Sequence, residues 1–176
     1  MKPYSNLLVL LHWILVPSIL IALFMGNDIA SLSNDLELKV DRIKVHTAAG
    51  VFIGALFVIR LIVRMTSTSM GALKENESSL LIHKLASLTH RTLYLLVFLI
   101  VLSGIGMSIQ IDMFEIMRLG ETLPENLPEL PARRIHGVLT LLLTALIVFH
   151  TLAALYHHFV LKNGNLSKMW FYKRKE

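Results

Sequence analysis

Residues 134–160 read RIHGVLTLLLTALIVFHTLAALYHHFV, and beyond Arg134 the run holds no Asp, Glu, Lys or Arg. A bilayer is crossed by ~20 predominantly apolar residues, so this stretch predicts a membrane-spanning helix. Four histidines interrupt it, and two of them, His136 and His150, stand fourteen residues apart. At ~100° per residue that spacing falls about 40° short of four full turns, which puts both imidazoles on one helix face, separated by ~21 Å along the axis. Ionisable side chains inside a span are costly and by default suggest a function. Two on one face, at different depths, suggest two cofactors stacked across the membrane.

Three further apolar runs precede this one, at about Leu7–Met25, Lys44–Arg64 and Leu85–Ile109. With Arg134–Val160 they predict an all-α, up-down-up-down four-helix transmembrane bundle occupying residues 1–176 as a single domain. The mean hydropathy of +0.63 leaves little material for a soluble domain. The first run is a poor signal peptide: it contains His12 and Trp13, and Met25-Gly26-Asn27 does not resemble a small-x-small cleavage site. Cysteine is absent, which excludes disulfides, thiolate metal sites, iron–sulfur clusters and covalent haem attachment.

Charge orients the bundle. Eleven of the seventeen Lys and Arg residues fall on the N-terminus, the 2–3 connection and the C-terminal tail, while nine of the twelve acids fall on the 1–2 and 3–4 connections. The positive-inside rule then puts both termini of this multi-pass chain in the cytoplasm. The Lys173-Arg174-Lys175 tail reads as an anchor to anionic membrane lipid rather than a nucleic-acid contact.

The connections read as follows. Residues Gly26–Ile43 form a polar 1–2 loop, and Met65–Ser79 a short Ser/Thr-rich 2–3 connection. In the 3–4 connection, Glu121–Pro131 is expected to be non-helical because of its three prolines. Before it, Asp112–Leu119 predicts a short interfacial helix with Met113, Phe114, Ile116 and Met117 facing lipid.

With this topology His12 and His150 lie in the inner half of the membrane, and His46 and His136 near its outer surface. Two imidazoles from facing helices at one depth are what six-coordinate haem b requires, one axial nitrogen each. The expected ligands are therefore His12 with His150 for an inner haem and His46 with His136 for an outer one. His90, near the inner end of the third span, competes with His12 for the inner site or else contacts a propionate or quinone. His83 is assigned to the interface with no further role. Gly50 and Gly54 follow His46 at four-residue steps; they either let a flat porphyrin lie against the helix or serve as a helix-packing motif. Arg60, Arg64, Arg133 and Arg134 lie near the membrane boundaries, where they either pair with haem propionates or snorkel to the interface. His157, one heptad beyond His150, and His158 beside it could form a quinone site, since histidine both donates hydrogen bonds and moves protons near neutrality. Tyr156, Lys84 and Trp13 are further candidates for its lining.

On these residues the chain resembles the bacterial cytochrome b561 family of small four-helix, two-haem inner-membrane proteins. The resemblance is carried by Leu11-His12-Trp13, by His46 with Gly50, and by Arg60-Leu61 with Arg64. It continues through His90 before Leu93-Tyr94-Leu95-Leu96, His136-Gly137, His150 and Leu155-Tyr156-His157-His158-Phe159. It implies haem b ligation at His12, His46, His136 and His150 and electron exchange with the quinone pool. In size, and without a fused domain, the chain is similar to the superoxide oxidase branch, which implies electrons passing from periplasmic superoxide through two haems to ubiquinone. Lys39, Arg42 and Lys44 before His46, with Arg133 and Arg134 before His136, could form a basic collar guiding that anion. The alternative is a membrane-anchor cytochrome b subunit passing electrons between quinone and a periplasmic redox protein, for which the acidic outer loops would attract a basic partner. A metal or small-solute carrier finds no membrane carboxylate or broken helix to support it.

Overall fold

The structure, a computed structural model, describes residues 5–34, 37–66, 77–119, 123–162 and 166–169, excepting the side chains of 77–81, 83, 167 and 168. Among these residues five α-helices follow in order: α1 Asn6–Ser31, α2 Glu37–Thr66, α3 Glu77–Gln110, α4 Met113–Leu119 and α5 Pro131–Phe159. Single 3-10 turns occupy Leu127–Glu129 and Leu166–Met169, and no strand occurs among the described residues. Helices α1, α2, α3 and α5 are each long and apolar enough to cross a membrane. α1 packs chiefly on α2 and α3 on α5, and the two hairpins meet where α2 touches α3. Local signals set the helix starts: the Ser5 hydroxyl accepts from the Leu8 amide ahead of α1. Pro131 opens α5 at a position where a missing N–H costs nothing.

The outward surfaces are apolar. Phe24, Met65, Ile109, Leu141 and Phe149 are all exposed, as suits helices solvated by lipid rather than water. Leu15, Ile53, Phe57, Leu96, Val97 and Leu143 form the buried centre of the bundle. One end, here called the loop end, carries the α1–α2 turn, α4 and the entry to α5; the other, the termini end, carries the start of α1 and the end of α5.

Two expectations about the loop end are corrected. The segment Gly26–Ile43 is not a loop: α1 continues to Ser31 and α2 begins at Glu37. Polar pairs stabilise the helical extensions. Arg42 is ion-paired with Asp28 across the hairpin. Lys39, only 7% exposed, donates to the Leu32 carbonyl (2.6 Å) and to Asn34 Oδ1 (2.7 Å). A lysine at the C-terminal end of α1 satisfies carbonyls the helix leaves open. The Asn34 amide in turn donates to the Pro124 carbonyl at 3.1 Å, tying this turn to the segment before α5.

The second correction concerns α4. The short helix exists, but Met113 (2% exposed), Ile116 and Met117 turn inward, and only Phe114 (71% exposed) of the four faces outward. Met113 and Ile116 join Val40, Leu123 and Leu127 in a second apolar cluster that caps the loop end. Burying such side chains away from water stabilises by about 1.5–3 kcal/mol each. Asp112, at φ 48°, makes the turn between α3 and α4. Aspartate tolerates this left-handed conformation, and its carbonyl accepts the first amides of α4 from Glu115 and Ile116.

Candidate functional site

Histidines gather at two levels of the bundle, with the central apolar cluster between them. At the loop end His46 of α2 and His136 of α5 face each other, ring centres 6.4 Å apart and planes at 76°. The surrounding helices hold the two rings differently. A Cβ on Gly26 of α1 would come within 3.3 Å of His46 Cε1, so the absent side chain makes room for that ring. The Nδ1 of His46 is buried and has no hydrogen-bond partner among the described residues. His136 instead rests on α3, where its Nδ1 lies 2.9 Å from the Ser103 hydroxyl and its edge passes over Gly104.

Gly50 and Gly54 separate in role. A Cβ on Gly54 would meet Val101 Cγ1 of α3 at 3.2 Å, so Gly54 allows α2 and α3 to pack closely. A Cβ on Gly50 would meet nothing within 4 Å, so open space adjoins α2 one turn from His46. A metal–imidazole bond is ~2 Å long, so two imidazoles on opposite sides of one metal place their ring centres roughly 6 Å apart. The observed 6.4 Å, the absence of a hydrogen bond between the rings and the open space at Gly50 together suit a pair that brackets a metal in a flat macrocycle.

At the termini end, His150 of α5 and His90 of α3 are edge to face, ring centres 5.3 Å apart and planes at 71°. His12 of α1 lies within electrostatic range of both, and of Arg60 of α2. All four spans thus contribute a side chain to this level. The Arg60 guanidinium donates to the Leu8 carbonyl, which fixes it against α1 one turn from His12. The His12 ring packs on Trp13 at 5.5 Å, and the Trp13 indole donates to the Met169 carbonyl at 2.8 Å, drawing the C-terminal turn onto α1. His157 and His158 sit half-buried in the last turn of α5, against Tyr156 and Phe159 respectively. The side chain of His83 lies outside the described residues.

Of the five residues expected as a basic collar, the three on α2 make local polar contacts. Lys39 is buried in the α1–α2 turn, Arg42 pairs with Asp28, and Lys44 pairs with Asp41 at 2.9 Å. Arg133 lies over Gly137 on its own helix, its Nη1 3.1 Å from where a Cβ would stand. Sequence reasoning passed over Ser103, Gly26 and Gly104. Ser103 left one trace, a hydroxyl within an otherwise apolar span. Gly26 left none, because its segment read as a loop.

A family model described as prokaryotic cytochrome b561 matches residues 3–172. No curated protein matches the chain.

Proposed function

Given that the chain belongs to the prokaryotic cytochrome b561 family, multi-pass membrane proteins that transfer electrons through haem b, we propose that it holds two haem b groups and passes electrons between a periplasmic one-electron donor and membrane quinone. His46 and His136 would hold the haem at the loop end. His12 and His150 would hold the other, with His90 beside them. The observation that carries this reading is the facing pair His46 and His136 at 6.4 Å, together with a second histidine group around His150 on the same helix. When bound, haem supplies a one-electron couple, and ligation by two histidines leaves it no open coordination site. The chain's own residues orient the two sites and keep an apolar layer between them. Both termini face the cytoplasm, so the loop end is periplasmic.

Superoxide is the donor this reading puts first, on the resemblance to the superoxide oxidase branch. Two superoxide ions would each lose one electron and leave as dioxygen. One quinone would take up both electrons and two protons and leave as quinol. His157 and His158 in the last turn of α5 are the proposed quinone contacts, hydrogen-bonding its oxygens and relaying protons from the cytoplasm. The second reading, an anchor subunit serving a periplasmic redox protein, is favoured by one observation: the connections at the loop end carry nine acids against six bases, which suits a basic partner.

The test is haem b per polypeptide in the purified, haem-replete protein, from pyridine haemochrome spectra. Two are expected, falling to one in His136→Ala and in His150→Ala. One haem in the parent protein overturns the two-site relay, and none overturns the redox reading.

A further inference from the structure

We infer that Ser103 is a positioning residue for the loop-end site: its hydroxyl fixes the tautomer of His136 and sets how strongly that imidazole donates to a bound metal. The inference rests on the reading of His136 as an axial ligand. A serine hydroxyl has one proton to give and lone pairs to receive with. Ser103 Oγ lies 2.8 Å from the Ile100 carbonyl, a group that can only accept, so the hydroxyl proton is spent there. Were it turned to His136 instead, two oxygens would face each other at 2.8 Å with no hydrogen between them. The 2.9 Å contact with His136 is therefore made by the Nδ1–H of the imidazole donating to Ser103. A neutral imidazole carries one N–H, so Nε2 is left with its lone pair, the state that binds a metal.

Helix α3 holds the ring in this state from two sides. Ser103 takes Nδ1, and Gly104 meets the ring along Cε1 and Nδ1, with its missing Cβ at 3.6 and 3.8 Å from those atoms. Neither contact touches Nε2. The ring across from it has no such support, for His46 Nδ1 is buried without a partner among the described residues. The two imidazoles of the pair are thus electronically unequal, and α3 tunes the site through His136 alone. A hydrogen bond from the second nitrogen of a metal-bound imidazole raises its basicity, which favours the oxidised metal. Removing the acceptor should favour the reduced state.

The test is a potentiometric titration of the haem absorbance in the full-length protein, comparing the parent with Ser103→Ala and Ser103→Thr. Ser103→Ala should raise the midpoint of one haem by about threefold in the oxidation equilibrium, ~28 mV at 59 mV per tenfold for one electron, and leave the other unmoved. Ser103→Thr, which keeps the hydroxyl, should restore it. If Ser103→Ala instead loses one haem and Ser103→Thr keeps it, the hydroxyl is again the determinant and the inference stands. Two haems with unchanged midpoints in Ser103→Ala overturn the inference and leave the proposed function intact. Equal behaviour of the Ala and Thr variants, whatever it is, also overturns it. A parent protein without haem overturns the proposed function itself, and the inference with it.

Discussion

His46 and His136 lie ninety residues apart in the chain, yet their rings face each other at 6.4 Å with planes inclined at 76°. The near-perpendicular setting follows from unequal supports: Gly26 of α1 receives one ring, and Ser103 and Gly104 of α3 receive the other. That inclination has a spectroscopic consequence. Crossed axial imidazoles leave the iron orbitals nearly degenerate, and a low-spin ferric haem so ligated gives a strongly anisotropic electron paramagnetic resonance signal. One such signal is expected from the oxidised protein, lost in His46→Ala. Rhombic signals from every haem would show that the two rings are not held as described.

The space beside Gly50 should tolerate a methyl group and reject a large ring. Gly50→Ala is expected to retain full haem content, since its Cβ meets nothing within 4 Å. Gly50→Phe should halve it by filling the space next to His46. Gly26→Ala presses on His46 Cε1 at 3.3 Å and should perturb the same haem, with a stability cost of about 1 kcal/mol from overpacking. Haem spectra and thermal unfolding of the three variants read these effects separately. Equal haem content in Gly50→Ala and Gly50→Phe would argue against a cofactor at that face.

Lys39 is a structural cation. Lys39→Met keeps the apolar stem but leaves the Leu32 carbonyl and Asn34 Oδ1 without their charged donor. Hydrogen bonds to charged groups contribute about 1.5–3 kcal/mol each, so a clear fall in unfolding temperature is expected. Haem content at low temperature should be unaffected. An unchanged unfolding temperature would show that the α1–α2 turn does not depend on this network.

Asp28→Asn separates the two candidate donors. The Asp28–Arg42 pair is partly exposed and contributes at most about 1 kcal/mol to stability. Its removal frees Arg42, one turn before His46, and lowers the negative charge at the loop end. If superoxide is the donor, its reaction should quicken by about twofold at low ionic strength and the gain should fade with salt. If a basic redox protein docks there, reduction by that partner should slow instead. No change with either donor would place electron entry away from this face.

Much of this architecture was legible because hydropathy reports the medium around a helix. Four apolar runs were enough to define four spans, and the fourteen-residue step from His136 to His150 put both on one face of α5 from geometry alone. The continuation of α1 and α2 through residues 26–31 and 37–43 was not legible, because polar residues mark water whether the backbone there is coiled or helical. The meeting of Asp28 with Arg42, and of Lys39 with Leu32 and Asn34, helps hold that turn, and such meetings are tertiary facts.

Rotation of a helix about its own axis is likewise invisible to an average over its residues. Met113, Ile116 and Met117 are as apolar as Phe114, and which of them meets lipid depends on Val40, Leu123 and Leu127 arriving from other segments. His90 could be placed by depth but not by direction; the packing of α3 on α5 brings its ring to His150. Ser103 reads as one hydroxyl in an apolar span until the same packing sets it beside His136. The sequence by itself determined the number, length and apolar character of the spans and the levels at which histidines occur, since these depend on local composition and helical rise. The tertiary structure decided which rings face each other and what supports each, because those depend on how separate helices rotate and dock.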